Sequence, residues 1–313
     1  MNAFRTERTK GGTDVSESAL GQITADEITS QPACWLRAQD QALAGVPGLP
    51  ESGERVLVLG CGTSYYVACS YAWLREQGGH GPTDALIASE LPARVREYDR
   101  VVAISRSGTT TEVIQALDRF AGAIPITALI GVPGTPVAEL ATDVVDLSYA
   151  DEHSVVQTRF PTTVLSLLRA ALGDDAAARA ELVRHGEAAI RAELSGVPRQ
   201  LVVLATGWAV GLAEEAALKC REAAGMWAEA YATAEYRHGP ISVAGPGTLV
   251  WAMTPLSETE TAAITATGAT IRHGGAEPQA ELVLLQRHAV AWAAAAGRDA
   301  DRPVHLSRSV IAV

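Results

Sequence analysis

Lysine is almost absent from this sequence of 313 residues: of its 25 basic residues, only Lys10 and Lys219 are lysines. Together with the abundance of alanine and glycine, this preference for arginine is typical of a GC-rich genome. Lysine, unlike arginine, readily loses its proton or forms an imine. A lysine retained against such a bias is therefore a candidate functional residue, and Lys219 is the one outside the N-terminal tail.

Other features that define whole classes of protein are also missing. No uninterrupted apolar stretch approaches the ~20 residues of a membrane-spanning helix, and the first residues, MNAFRTERTKGG, lack the apolar core of a secretory signal. There is no run of Lys or Arg, and the net charge of −11 disfavours nucleic acid. The cysteines form neither a CxxC motif nor a paired framework: Cys34, Cys61, Cys69 and Cys220. We expect a cytoplasmic protein with reduced thiols and with neither a membrane nor a nucleic-acid partner.

Hydrophobic residues make up 48% of the chain, enough to bury a core in each of two domains of roughly 150 residues. Apolar runs typical of buried strands lie at 55–60, 85–88, 100–105, 126–130, 144–147, 201–204 and 247–253. Helical patterns lie at 23–44, 65–77, 112–121, 137–141, 162–195 and 214–224. This alternation predicts an α/β fold in which parallel sheets carry helices on both faces.

An internal repeat divides the chain. VLVLGCGTSYYVA at 56–68 and LVVLATGWAVGLA at 201–213 share four identities at one constant offset, which favours duplication. We therefore predict two similar lobes in tandem, each with three layers, αβα. A flexible tail would occupy residues 1–22, the first lobe and its connecting helices 23–195, and the second lobe, with a C-terminal active-site tail, 196–313.

Two polar turns each follow a buried strand: Gly62-Thr63-Ser64, and Ser105-Arg106-Ser107-Gly108-Thr109-Thr110. Small hydroxyl side chains and free amides at a helix N-terminus bind phosphate without a metal. The same residues also serve as helix N-caps, which is the structural alternative. Two such turns in one lobe favour phosphate. Neither matches GxGxxG or a Walker loop, which disfavours a dinucleotide or a nucleoside triphosphate.

The helical segment at 214–224 places Glu215, Lys219 and Glu222 on one face. A solvated, salt-bridged helix surface is the structural alternative. A carboxylate that is partly shielded and lies near a histidine such as His238 is suited to moving protons on and off carbon. No second histidine lies at ligand spacing, so we expect no metal site.

In this order, the motifs resemble the SIS (sugar isomerase) family, specifically the isomerase portion of glucosamine-6-phosphate synthase and its deaminase relatives. The resemblance extends from Glu27 to Val313. Besides the turns and the helix already described, its landmarks are Glu27-Ile28, Gln31-Pro32, Ala88-Ser89-Glu90, Glu152, Gln157-Thr158-Arg159, Ala228-Glu229-Ala230, Glu235 with His238-Gly239-Pro240, and the signature at 297–309.

The resemblance implies a role for each matched residue. Glu222 would be the base that moves a proton between C1 and C2, and Lys219 its helper. His238 would open the sugar ring from the partner subunit, which implies a homodimer. Arg308 stands where the synthase and many deaminases have a lysine that handles the open-chain sugar. Substrate and phosphate binding would fall to Gly62, Thr63, Ser64, Ser105, Arg106 (commonly Gln in the synthase), Ser107, Thr110, Gln157, Glu229 and Glu235.

The resemblance implies no cofactor, and the glutaminase domain of the synthase is missing, so we expect no glutamine-dependent amidotransfer. The expected step is removal of the C2 proton of a ring-opened hexosamine 6-phosphate. Because an arginine at position 308 is poorly suited to imine chemistry, elimination of the 3-hydroxyl from N-acetylglucosamine 6-phosphate has a slight lead. Glu222, Glu229 and Glu235 could share the acid and base roles. The alternatives are isomerisation or deamination of glucosamine 6-phosphate, and a non-catalytic sugar-phosphate sensor.

Overall fold

The computed structural model describes residues 20–275 and 277–311. Most of the tail predicted at 1–22 lies outside the described residues, and its last residue begins helix α1 (Gln22–Thr29), which is followed by α2 (Gln31–Leu43). No helix of the described ranges combines the length and the apolar character that crossing a membrane requires.

The first half of the chain forms one parallel sheet. Its strands are β1 (Val56–Gly60), β2 (Thr83–Ile87), β3 (Arg100–Ser105), β4 (Ile126–Ile130) and β5 (Asp143–Asp146). They are arranged in the order β2-β1-β3-β4-β5. The helices of this half are α3 (Thr63–Gln77), α4 (Thr111–Asp118), α5 (Pro136–Leu140), α6 (Arg159–Ala171) and α7 (Ala176–Arg191). All five residues of β1 are buried, as its purely apolar sequence requires of a strand covered on both faces.

The second half repeats the plan with four parallel strands. They are β6 (Gln200–Ala205), β7 (Ala228–Ala232), β8 (Thr248–Ala252) and β9 (Thr270–His273), in the order β7-β6-β8-β9. Its helices are α8 (Ala209–Ala224), α9 (Glu258–Thr265) and α10 (Pro278–Ala295). The predicted fold class, two parallel sheets flanked by helices, is confirmed. The residue boundaries of the two lobes stay a prediction.

Four elements of the second half, β7, α9, β9 and α10, were not predicted from the sequence, and for β7 and α10 the reason is identifiable. β7 reads AEAYA, which has no β-branched residue, and it is a strand because it pairs with β6 along its whole length. α10 is buried around most of its circumference, so its sequence has no polar face to mark a helical period. Tertiary packing, rather than local preference, decides both elements.

The two halves share one core. The largest apolar cluster contains Val58 and Val102 of the first sheet and Leu201 and Val203 of the second. Where α3 crosses α8, the helices approach very closely at Gly211. A Cβ at this position would lie 2.4 Å from both the Ser70 hydroxyl oxygen and the Tyr66 carbonyl oxygen. This crossing brings the N-terminus of α3 next to the C-terminal half of α8.

Gly211→Ala is therefore expected to destabilise the protein, although alanine normally stabilises a helix interior by roughly 0.5–1 kcal/mol relative to glycine. The added methyl group has no space against the Tyr66 carbonyl, and overpacking of this kind costs about 1–3 kcal/mol. Urea unfolding measures the change. Gly196→Ala is the matched control, because a Cβ there meets nothing within 4 Å. Equal stabilities of the two variants would show that the crossing tolerates a side chain.

Candidate active site

The two polar turns predicted from the sequence lie side by side at the carboxyl edge of the first sheet. From β1 the chain moves to β2 on one side, whereas from β3 it moves to β4 on the other. Open parallel sheets bind ligands at such a switch point, beyond the carboxyl ends of the two central strands. Thr63 and Ser64 begin α3 after β1, and Thr110 immediately precedes α4 after β3.

A cavity of about 180 Å³ opens at this edge. It brings together the first turn, the segment before α6, the C-terminal half of α8, and the end of the chain. The residues lining it are Cys61, Gly62, Thr63, Thr110, Val155, Gln157, Lys219, Glu222 and residues 306–310. Seven residues predicted for the site line it: Gly62, Thr63, Thr110, Gln157, Lys219, Glu222 and Arg308.

The charged groups of the cavity come from α8. Lys219 is 1% exposed, and its Nζ donates to Thr63 Oγ1 at 3.0 Å and to Glu222 Oε2 at 2.5 Å. Glu215 Oε1 lies 3.5 Å from the same nitrogen and is fully buried. The solvated helix surface considered as the alternative is therefore wrong for this face, since Lys219 and Glu215 are enclosed where α8 meets α3.

Burial opposes the charge of the Lys219 ammonium, but Glu215 and Glu222 outweigh this effect and raise its pKa. Burial raises the pKa of Glu215 to about 8, although Lys219 acts in the opposite direction. Glu222 keeps 20% of its side chain exposed, towards the cavity. A carboxylate that is accessible to a ligand and is held by a protonated, buried lysine has the arrangement of a general base.

Gln157 presents an unused acceptor to the same cavity. Its Oε1 is buried and has no hydrogen-bond partner among the described residues. Buried polar atoms of folded proteins are nearly always paired, so this oxygen suits a ligand that brings a hydroxyl or amide donor.

The turn after β3 is organised by its own hydroxyl groups. Ser105 Oγ accepts from the Gly108 amide at 3.1 Å, and Ser107 Oγ accepts from the Thr109 amide at 3.3 Å. Ser107 Oγ also donates to Ser309 Oγ at 3.2 Å. Ser64, Ser105 and Ser107 are not among the residues that line the cavity.

Two arginines predicted for the site contact other protein atoms. Arg106, predicted to hold phosphate, is 2% exposed and donates to the carbonyl oxygens of Ser154 at 2.8 Å and Arg308 at 2.6 Å. Burial lowers the pKa of its guanidinium. Arg308, predicted to contact the open-chain sugar, has one guanidinium nitrogen 2.6 Å from each carboxyl oxygen of Asp151. Both guanidinium groups are engaged by protein atoms.

Three further predicted residues lie outside the cavity of their own chain. Glu229 accepts from Trp227 Nε1 at 3.1 Å and lies near Gln200, at the amino end of β6. Glu235 and His238 lie in a short 3-10 turn after β7 and are exposed. The contribution of His238 across a subunit interface stays a prediction.

Two buried carboxylates, those of Glu27 and Glu152, accept hydrogen bonds from the segment that contains Val155 and Gln157. Glu152 is fully buried and accepts from Thr158 Oγ1 at 2.8 Å and from the Arg159 amide at 2.9 Å. Glu27 accepts from the His153 amide at 2.6 Å. Burial, with Glu152 nearby, raises the pKa of Glu27 to about 7. Sequence analysis named both glutamates as landmarks without a role, and it missed Val155 and Asp151, which no local pattern distinguishes.

Comparison with known proteins identifies the domain that carries both polar turns. Residues 50–172 match the family described as the SIS domain. This chain contains a SIS domain. The matched domain includes Gly62, Thr63 and the whole turn after β3. It therefore contains the residues of the first sheet's carboxyl edge that line the cavity.

Two curated relatives of the chain carry the name of a sugar-phosphate enzyme. The chain is 30% identical over 212 residues to the isomerizing glutamine–fructose-6-phosphate aminotransferase of Sulfolobus acidocaldarius, covering 63% of this chain and 36% of that protein. It is 29% identical over 273 residues to the corresponding protein of Aeropyrum pernix, covering 75% and 44%. The chain thus spans less than half the length of these two relatives.

Two solved structures share the fold. The glucosamine-6-phosphate deaminase of Thermotoga maritima superposes with a TM-score of 0.80 at 24% identity, covering 93% of this chain and all of that one. The C-terminal domain of the glucosamine-fructose-6-phosphate aminotransferase of Francisella tularensis gives 0.76 at 20% identity, covering 94% and 100%. At these identities the likeness establishes the architecture of both lobes.

Proposed function

We propose that this SIS-domain protein is an enzyme that removes the C2 proton of a ring-opened amino-sugar 6-phosphate, with Glu222 as the base. The observation that carries the proposal is the contact between the accessible Glu222 carboxylate and the buried Lys219 ammonium, inside a cavity bordered by both hydroxyl-rich turns. The proton at C2 is acidic because the open-chain aldehyde at C1 stabilises the resulting enolate. Protonated Lys219 holds the carboxylate in position and offsets part of its charge.

The phosphate would bind at the two turns. In the turns that lead into α3 and α4, Thr63, Ser64, Ser105, Ser107 and Thr110 would supply hydroxyl groups for a phosphate held at two helix N-termini without a metal. Phosphate bound there would leave the sugar chain to extend towards Glu222 and Gln157.

We further propose elimination of the 3-hydroxyl from an N-acylated sugar as the outcome. The electrons of the C2–H bond form the enolate and then expel the C3 oxygen as water, leaving an α,β-unsaturated aldehyde. Glu222, protonated by the first step, can return that proton to the departing oxygen. Glu229 and Glu235 lie outside the cavity, so nothing in its lining supports a division of roles among three carboxylates.

Neither basic side chain of the cavity, Lys219 or Arg308, is suited to imine chemistry, and this favours elimination over deamination. Lys219 is the single lysine of the described residues, and Glu215 and Glu222 raise its pKa, which disfavours imine formation. The Arg308 guanidinium is paired with Asp151. Isomerisation or deamination of glucosamine 6-phosphate is the second candidate, and the names of the relatives favour it.

Ring opening completes the proposal and is assigned to His238 of a second copy of the chain. His238 is exposed and does not line the cavity of its own chain, which suits a residue supplied across the interface of a homodimer.

Incubation with N-acetylglucosamine 6-phosphate and, separately, with glucosamine 6-phosphate in heavy water tests the proposal. We expect an ultraviolet-absorbing α,β-unsaturated aldehyde from the N-acetyl sugar, and deuterium at C2 of recovered substrate where the proton abstraction reverses. Ammonia and ketose phosphate formed from glucosamine 6-phosphate, without any unsaturated aldehyde, would replace elimination by the second candidate. If no unsaturated aldehyde, ketose phosphate or ammonia forms and no sugar incorporates deuterium, the enzyme proposal fails and a sugar-phosphate sensor is left.

A further inference from the structure

The last residues of the chain form one wall of the cavity although they belong to no helix or strand. Residues 306–310, here called the C-terminal segment, line the cavity opposite α8. Leu306 and Val310 are 45% and 60% exposed, so apolar burial contributes little to holding the segment in place. Its position must depend on polar contacts.

Those contacts converge on Arg308. The buried Arg106 donates one Nη to the Arg308 carbonyl at 2.6 Å and the other to the Ser154 carbonyl at 2.8 Å. Asp151 binds the guanidinium of Arg308, with 2.6 Å between the charged atoms. The main chain and the side chain of one residue are thus held by two different groups of the first lobe.

The neighbours of Arg308 add weaker contacts to the turn after β3. Ser309 Oγ meets Ser107 Oγ at 3.2 Å and Thr109 Oγ1 at 2.9 Å. The Val310 carbonyl accepts from the Thr111 amide at 3.2 Å, where α4 begins. Among the described residues, the contacts that we find between the segment and the first lobe are these neutral hydrogen bonds and the charged ones made by Arg106 and Asp151. If Arg106 and Asp151 were replaced, the neutral hydrogen bonds would remain.

We propose that Arg106 and Asp151 are positioning residues that clamp the C-terminal segment over the cavity through Arg308. Arg308 then acts as an anchor and not as a group that handles the substrate. The expected effect on turnover rests on the proposed function, whereas the clamp itself does not. Since a closed wall retains the sugar phosphate but does not touch the proton being moved, its loss raises KM more than it lowers kcat.

Trypsin reports the clamp directly on the full chain. Arg302 precedes Pro303, which blocks cleavage there, so Arg308–Ser309 is the one tryptic bond after Arg298. Losing a hydrogen bond to a charged group should raise the open fraction, and hence the cleavage rate, by about tenfold or more. We therefore expect Asp151→Asn to release Ser309–Val313 about tenfold faster than the parent, measured by intact mass.

Three further variants serve as a rescue, a control and a second test of the cleavage measurement. Asp151→Glu keeps the charge and should restore slow cleavage, whereas a merely structural loss would not be rescued. Asp84→Asn is the matched control, because among the described residues Asp84 contacts Arg96 and Tyr98 and not the C-terminal segment, so this variant should cleave like the parent. Arg106→Gln should also cleave faster. Should it fail to fold, Asp151→Asn decides alone.

Kinetics with the sugar phosphate turned over by the parent complete the test. Asp151→Asn should raise KM several-fold with kcat nearly unchanged. Parent-like cleavage of Asp151→Asn would overturn the clamp even if the enzyme is active. Fast cleavage in a protein that turns over no sugar phosphate would instead support the clamp and refute the proposed function. A fall in kcat with unchanged cleavage would assign Arg308 and Asp151 to the chemistry and overturn the inference.

Discussion

Glu222→Gln is expected to slow C2 proton exchange and product formation by about 10²–10⁴-fold, the usual contribution of a positioned general base. The amide has nearly the shape of the carboxylate and can still accept from Lys219, but it cannot take up a proton at neutral pH. Substrate affinity should change little, because the phosphate is assigned to the turns. Deuterium incorporation at C2, followed by NMR, measures the exchange independently of the final product.

Glu187→Gln is the control for this substitution, since Glu187 is half exposed on α7 and its one side-chain partner in the described part of the chain is Arg191. It should exchange the C2 proton at the parent rate. Exchange that continues undiminished in Glu222→Gln would assign the base to another group and refute the mechanism.

Lys219→Met should destabilise the protein more at pH 9 than at pH 7, by up to about 1.4 kcal/mol, because the buried Glu215 carboxyl loses its cation. Glu215 is fully buried, and Lys219 is the cation beside it. The free energy of unfolding, measured in urea, reports the loss.

The sign of the pH dependence follows from Glu215. Its pKa of about 8 in the folded protein lies above the ordinary value of 4.5, so its contribution to stability is lost as the pH rises through 8. Removing Lys219 raises this pKa further. The variant should therefore keep losing stability above pH 8, where the parent levels off, by up to about 1.4 kcal/mol per pH unit.

Adding Glu215→Gln to Lys219→Met removes the unpaired charge and should recover most of the loss at pH 9. Equal destabilisation at pH 7 and pH 9, with no recovery in the double variant, would mean that packing of the lysine stem outweighs the ion pair.

The parts of the site that could be predicted lie within single elements. Glu215, Lys219 and Glu222 share a face because of the helical repeat, and the polar turns lie at strand ends because a buried apolar run must stop where polar residues begin. Both inferences need only a few neighbouring residues. β7 and α10 show the reverse, since pairing with β6 and burial on most sides determine them.

The use of each charged group could not be predicted in the same way. Arg106 and Arg308 match the family pattern by position, yet partners far away in the chain, Ser154 and Asp151, occupy their guanidinium groups. Glu229 matches a family landmark, but its side chain lies at the amino end of β6, outside the cavity.

Short stretches of sequence were enough to predict the first sheet, the two hydroxyl-rich turns and the charged face of α8, because each depends on local periodicity or composition. The burial of Lys219, its pairing with Thr63 and Glu222, and the cavity wall formed by the end of the chain became evident only in the folded protein. Burial and charge pairing depend on which distant segments come into contact. Here the close crossing of α3 and α8 at Gly211 brings Lys219 into contact with Thr63.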